Sequence, residues 1–193
     1  MIFRRKTPVL LSERLQLRLP RRGDYIPWAT TRRAAVDFLQ QWEPIRPRGY
    51  DARAAFTGRV HWAQRAARAQ SAFPFMIMRR EDRRLLGAIT LDNVRFGPAR
   101  AGTIGYWIGE EFARQGYMRE AIGLVMDYAF EQLDLSRIEA ACLPENVASR
   151  GLLEGSGFKY EGVAQSFLQI NGRWRTHVLY ANLRHDRRGQ ADA

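Results

Sequence analysis

The chain has 193 residues, 46% hydrophobic and 26% charged, which excludes a disordered polar chain and is long enough for one domain with a real core. Its formal net charge is +11, and the surplus is uneven: residues 1–100 hold 21 cations against 8 acids, residues 101–193 hold 10 against 12. That asymmetry points to a partner with phosphates or acidic groups, although a GC-rich genome would give the same arginine bias (lysine occurs only as Lys6 and Lys159).

The elements are predicted in chain order from periodicity and turn residues. Residues 13–19 alternate polar and apolar and read as a strand. Gly23 and Asp24 form a turn and cap before a helix over 25–35. Pro44, Pro47 and Gly49 break residues 38–50 into a loop with short helical pieces. An Ala- and Arg-rich helix spans 52–70. Strands are predicted over 73–79 and 85–93, around an arginine-framed turn at 79–84, and over 103–109. Met118, Ala121, Ile122, Val125, Ala129 and Leu133 recur at helical spacing and set a helix over 117–133. A strand at 137–142, a helix at 146–155 and two strands at 159–169 and 174–183, joined by Asn171-Gly172, complete the chain. This is a mixed α/β (α+β type) fold: a mostly antiparallel sheet of about seven strands with about four helices. It is expected as one domain over 1–193, with a core at 13–184 and a disordered tail at 185–193.

Other chemistries are excluded by what is scarce. A single cysteine, Cys142, cannot close an intramolecular disulfide, and three scattered histidines give no metal site, so a cytoplasmic protein without metal is expected. No apolar run reaches the roughly 20 residues of a membrane span. The stretch after Arg4, Arg5 and Lys6 is too short for a signal-peptide core.

Residues 103–121 carry the chemistry. A strand ending at Ile108-Gly109 leads through Glu110 to Arg114 into Gln115-Gly116, and a helix begins at Tyr117 or Met118. A helix start offers free N–H groups to an anion, above all a pyrophosphate, and Gly116 lets the backbone come close. A plain strand–loop–helix turn would look the same from this stretch alone. With Asn146-x-x-Ser149, a helix, then Gly157-Phe158, the sequence resembles the GCN5-related N-acetyltransferases (GNAT fold). Ala113-Arg114-Gln115-Gly116-Tyr117-Met118 aligns with their Gln/Arg-x-x-Gly-x-Gly/Ala loop; Gly116 matches, Ala113 and Met118 depart. Phe38-Leu39, Trp42-Glu43-Pro44, Ser71-Ala72-Phe73, Asn171-Gly172-Arg173-Trp174-Arg175 and His177-Val178 are similar to the RimJ branch, the ribosomal-protein alanine N-acetyltransferases. The likeness runs from Glu13 to about Arg184.

The resemblance implies acetyl transfer from acetyl-CoA to an amine in a ternary complex, with two central parallel strands splayed apart. The pantetheine arm would lie along Trp107, Ile108 and Gly109. The N–H groups from Arg114 through Gln115, Gly116, Tyr117 and Met118 to Arg119 would hold the pyrophosphate, and Asn146 would bond the arm. Backbone near Ile108 would hold the oxyanion. Glu110 is the preferred base, with Glu111 beside it; either could also be a solvated loop acid. Ser149 is the candidate proton donor to the thiolate, or else a first-turn serine; Tyr117 and Tyr160 are weaker alternatives. Trp42, Glu43, Tyr106, Trp174 and His177 are candidate acceptor contacts. Glu43 and His177 also have structural readings. Cys142 reads as a small buried hydrophobe and His61 as a surface residue. The expected acceptor is the N-terminal amine, Ala-type, of a ribosomal or other protein. The alternatives are a small amine, or a ribosome- or RNA-associated assembly role with minor catalysis through the basic half. A monomer or a homodimer fits the sequence.

Overall fold

The computed structural model describes residues 7–185; the expected tail, His185 apart, lies outside the described residues. In chain order the elements are β1 (Val9–Leu11), β2 (Leu15–Arg18), α1 (Tyr25–Ala34), α2 (Val36–Gln40), α3 (Arg53–Arg68), β3 (Phe73–Arg79), β4 (Leu85–Arg95), β5 (Ala101–Ile108), α4 (Tyr117–Asp127), β6 (Arg137–Cys142), α5 (Val147–Gly155), β7 (Lys159–Ile170) and β8 (Arg173–Leu183). The strands form one sheet in the order β1-β2-β3-β4-β5-β6-β8-β7. Every neighbouring pair is antiparallel except β5 and β6, which are parallel.

The sheet has eight strands where about seven were expected. The addition is β1, whose three residues are too short to show alternation but pair with β2 from Val9↔Arg18 to Leu11↔Gln16. The fifth helix is α2, one of the short pieces between the expected longer helices. The helix expected over 117–133 is α-helical only to Asp127. It ends in a π turn, Tyr128–Gln132, where Leu133 N–H bonds the Tyr128 carbonyl at 3.2 Å. Ala129 and Leu133 stay buried, and the Tyr128 ring sits edge-on to Phe73 at 5.2 Å and to Phe75 at 6.0 Å.

Two apolar layers sandwich the sheet. On one face, Met118, Ala121, Ile122 and Val125 of α4 pack with Leu15, Leu17, Phe75, Ile77 and Ile138. Full burial of side chains of this size is worth about 1.5–3 kcal/mol each for the larger ones. On the other face, Trp28 of α1 and Phe56 and Val60 of α3 pack on Met76, Met78 and Leu85. Helices α1 and α3 cover β3 and β4, whereas α4 and α5 cover the opposite face, α5 lying over β6 and β7. The α1/α3 side of β5, β6, β8 and β7 therefore lacks a major helical cover among the described residues.

Two contacts hold this frame at the end where β5 stops. Arg18 grips Asp24 through two hydrogen bonds of 2.7 Å, both side chains nearly buried, and Asp24 also accepts the Arg21 N–H, which fixes the entry to α1. Gly87 of β4 lies so close to β5 that a Cβ there would stand 2.2 Å from the Trp107 carbonyl oxygen. Backbone cannot swing aside as a flexible side chain can. Gly87→Ala is thus expected to cost about 1–3 kcal/mol of stability in urea denaturation; an unchanged midpoint would show that β5 has room to move.

Candidate active site at the splay of two parallel strands

Strands β5 and β6 pair only at Ala101↔Arg137, Gly102↔Ile138 and Thr103↔Glu139. Beyond Thr103 they part: β5 stays on β4 as far as Ile108, and β6 stays on β8 as far as Cys142. Gly109 gives its N–H to the Leu86 carbonyl at 2.8 Å, toward β4. Alternation along the strand then turns the N–H and C=O of Ile108, Tyr106 and Ile104 the other way, into the gap. An extended chain of hydrogen-bonding groups entering the gap finds a ready strand edge.

The gap leads to the start of α4. Gly116 is its N-cap at φ +80°, and no side chain caps the helix. The N–H groups of Tyr117, Met118 and Arg119 therefore have no partner within the helix. Arg114 is also left-handed, at φ +61°, a conformation that costs a non-glycine residue roughly 1–2 kcal/mol. Arg14, just before β2, buttresses this turn. It bonds the Gln115 carbonyl at 3.2 Å and Glu120 at 2.7 Å, and its guanidinium lies 4.7 Å from the Tyr117 ring centroid. Ser12 bonds the same Glu120 carboxylate. Burial pushes the Glu120 carboxyl up, but the bonds from Ser12 and Arg14 outweigh it and hold the group below its ordinary value. Arg119 reaches toward α5, where its guanidinium covers Gly155 so closely that a Cβ there would stand 2.0 Å away. It forms no ion pair among the described residues. The unsatisfied helix start, a close-approach glycine and a free arginine together suit a pyrophosphate.

The far side of the gap belongs to α5. Asn146 caps it, its Oδ1 accepting the Ser149 N–H at 3.0 Å. Ser149 thus has its backbone capped while its hydroxyl bonds the Tyr106 hydroxyl across the gap at 2.8 Å. Burial pushes the Tyr106 phenol well above its ordinary value, so it stays protonated. Cys142 is buried on the same face, its thiol also raised by burial against a hydrogen bond from Ser149. Tyr106, expected beside the acceptor, stands on the α4/α5 face and touches Ser149.

The opposite face has a different character. There Gly105 is exposed with open space where a Cβ would be, and Trp107 lies under Arg32, whose guanidinium is 4.4 Å from the ring centroid. Arg32 is buried in α1 and holds both Glu43 oxygens, at 2.8 and 2.6 Å, and Arg46 adds a third bond at 2.6 Å. Burial raises the Glu43 carboxyl, but the two arginines outweigh it and hold it below its ordinary value. Glu43 is thus committed to ordering its own loop. Its carbonyl accepts the Asn171 N–H at 2.9 Å, and Gly172 lies close against Ile45, which clasps the loop to the β7–β8 hairpin. Trp42 is half-buried in that loop and Trp174 is exposed on the hairpin. His177 is buried, bonded to the Arg175 carbonyl at 3.0 Å and edge-on to Phe167, a structural position. Glu110 is exposed and without a partner among the described residues, whereas Arg84 holds both oxygens of Glu111 at 2.8 Å.

A model of the acetyltransferase (GNAT) domain matches residues 14–159. The chain belongs to the GNAT acetyltransferase family. It is 33% identical over 178 residues to the [ribosomal protein uS5]-alanine N-acetyltransferase of Escherichia coli, covering 89% of each chain. Among solved structures it resembles the ribosomal-protein-S5-alanine acetyltransferase of Vibrio fischeri, with TM-score 0.86 and 28% identity over 93% of this chain and 98% of that one. It also resembles RimJ of Mycobacterium smegmatis in complex with CoA-disulfide, with TM-score 0.85 and 29% identity over 95% and 89%.

Sequence reasoning missed Arg14, Arg32, Arg46, Gly87 and Gly105. Only Arg32 left a signal: it follows Trp28 at a four-residue spacing, on the apolar side of α1. If Arg14 buttresses the α4 start of this GNAT protein, Arg14→Ala should weaken coenzyme A binding by about 1 kcal/mol, roughly fivefold, in isothermal calorimetry. Unchanged affinity would contradict that role.

Proposed function

We propose that the protein transfers acetyl from acetyl-CoA to the N-terminal α-amine of a protein, with a ribosomal protein as acceptor. The observation that carries the donor side is the strand edge exposed beyond Thr103, continuous with the uncapped start of α4. The pantetheine arm runs along Trp107, Ile108 and Gly109 and pairs with the Ile108 backbone, which of the three faces the gap. The pyrophosphate takes the N–H groups from Gln115 to Arg119, with Arg119 closing from the side. Asn146 keeps its amide N–H₂ for the arm while its oxygen caps α5. The second half of the chain, which holds this helix start, carries no net positive charge, and none is needed where fixed dipoles converge.

The amine approaches from the other face, over Gly105 and beside Trp107. Trp42 and Trp174 flank the approach, and Arg32, Arg46 and Glu43 shape it. An α-amine has a pKa near ~7.7–8.0, so roughly a tenth or more is neutral at pH 7 and a modest base suffices. Glu110, free where Glu111 is ion-paired, takes its proton through water. The Ile108 N–H, which points into the gap, stabilises the oxyanion. As the C–S bond breaks, Ser149 donates a hydrogen bond to the departing thiolate, and Tyr106, kept protonated by burial, donates one to Ser149.

Support for the acceptor comes from the 33% identical E. coli relative, whose name specifies ribosomal protein uS5. The test is turnover with acetyl-CoA against a panel of N-terminal peptides, Ala-first among them, and a panel of free amines including polyamines. Peptide turnover is expected; turnover of polyamines with none of peptides would overturn the reading in favour of a small-molecule enzyme. On the best peptide, Ser149→Ala should lower kcat by about 10²-fold with a smaller effect on coenzyme A binding, and Tyr106→Phe should lower it less. Unchanged kcat in Ser149→Ala would leave Ser149 only a place in the first turn of α5.

A further inference from the structure

The outer face of α3 has no part in the site described above. The helix contains no Asp or Glu, and Arg53, Arg65 and Arg68 are exposed and in no ion pair among the described residues. Arg53 lies over the Tyr25 ring at 4.6 Å. Arg22 joins the same surface through a 2.9 Å bond to His61. Other arginines of the first half are committed: Arg14 to Glu120, Arg18 to Asp24, Arg32 and Arg46 to Glu43, Arg79 to Asp82, Arg84 to Glu111. On α3 itself, Arg53, Arg65 and Arg68 stand as a stripe of cations with no acid on the helix to offset them.

Beside this stripe stands Trp62, 42% exposed. It walls a cavity of about 420 Å³ whose other lining includes Asp92, Asn93, Arg95 and Thr103. Asn93 is held left-handed at φ 48° and gives its side-chain amide to Thr103 Oγ1 at 3.2 Å. One Asp92 oxygen accepts the Asn93 N–H at 2.8 Å, and the other has no partner among the described residues. Arg95 is paired with Glu139 at 3.0 Å. An aromatic wall, a free acceptor and an amide define a recess that differs from the cationic stripe beside it.

We propose that this face binds unpaired RNA, with phosphates on Arg22, Arg65 and Arg68 and a base stacked on Trp62 in the cavity. Backbone phosphates answer the arginines, and an unstacked base supplies both a ring for Trp62 and N–H groups for the free Asp92 oxygen. An acidic peptide would satisfy the arginines but would bring carboxylates toward Asp92. A duplex would keep its bases out of the recess. Choosing RNA over DNA rests on the ribosomal acceptor proposed above; the placement on α3 rests on the charges and the cavity alone.

The test is fluorescence anisotropy of a short labelled single-stranded RNA, with no acetyl-CoA or acceptor present, so its failure leaves the acetyl-transfer reading standing. Binding is expected near about 50 mM salt and should weaken steeply toward about 200 mM. The double variant Arg65→Ala/Arg68→Ala should reduce the salt slope by about 2 while acetylating a free peptide at the wild-type rate. Trp62→Ala should weaken binding by about fivefold or more, and Trp62→Phe should restore part of it, since a smaller ring still stacks. Absence of binding at low salt, or an unchanged salt slope in the double variant, would overturn the proposal. So would polyglutamate displacing the RNA at equal charge, which would make the face a dock for acidic protein.

Discussion

Three residue pairs join β5 to β6, and none follows Thr103↔Glu139. Much of the structure serves to keep the strands apart beyond that point. Each backbone group left unpaired in a buried place costs about 1–3 kcal/mol, so two neighbouring strands would close on each other unless held. On one side β5 is fixed to β4 by Gly87, where nothing larger fits beside the Trp107 carbonyl. On the other, β6 is committed to β8 along its whole length. The Tyr106–Ser149 bond spans the α4/α5 side, and Arg32 stacked on Trp107 presses on the opposite side. A ligand that pairs with the open edge meets groups already oriented and does not have to separate the strands itself.

The same gap separates two electrostatic tasks. Under the proposed reading the donor's phosphates meet backbone dipoles at the start of α4, in the half of the chain without net positive charge. The first half's arginines look like a single basic mass in the sequence, but the fold divides them. Several are consumed by acids of the second half, as in Arg14–Glu120, Arg84–Glu111, Arg95–Glu139 and Arg100–Asp134. Arg32 and Arg46 are spent on Glu43, ordering the loop that carries Trp42. The charge imbalance between halves is therefore in part internal neutralisation across the sheet, and Arg53, Arg65 and Arg68 of α3 are among the cations outside it.

Much of this was legible before the structure. Strands 73–79 and 137–142 fall where predicted: Phe73, Phe75 and Ile77 supply strand-forming residues in the first, and buried Ile138, Ala140 and Cys142 alternate with more exposed positions in the second. The α4 start was readable from Gly116, since a glycine before an apolar helical period has few other uses. Asn146-x-x-Ser149 carried both the cap and the hydroxyl, but the division of labour between them is geometric: the cap takes the Ser149 N–H, and Tyr106, from a distant strand, takes its hydroxyl. Glu43 could be read as an acceptor contact because its partner Arg32 lies eleven residues earlier, on a helix face that only packing defines. Arg14 left no trace, because its bond to the Gln115 carbonyl depends on how the start of β2 meets the start of α4. Local periodicity and turn chemistry were visible; contacts between elements far apart in the chain were not.

The central claim is that the β5 edge facing the gap receives the donor. Amide hydrogen exchange read residue by residue with and without acetyl-CoA tests it most directly. Slowed exchange at Tyr106, Ile108 and the first turn of α4 is expected, with β1 and the outer face of α3 unchanged. Binding of acetyl-CoA with no protection at Tyr106 and Ile108 would contradict it.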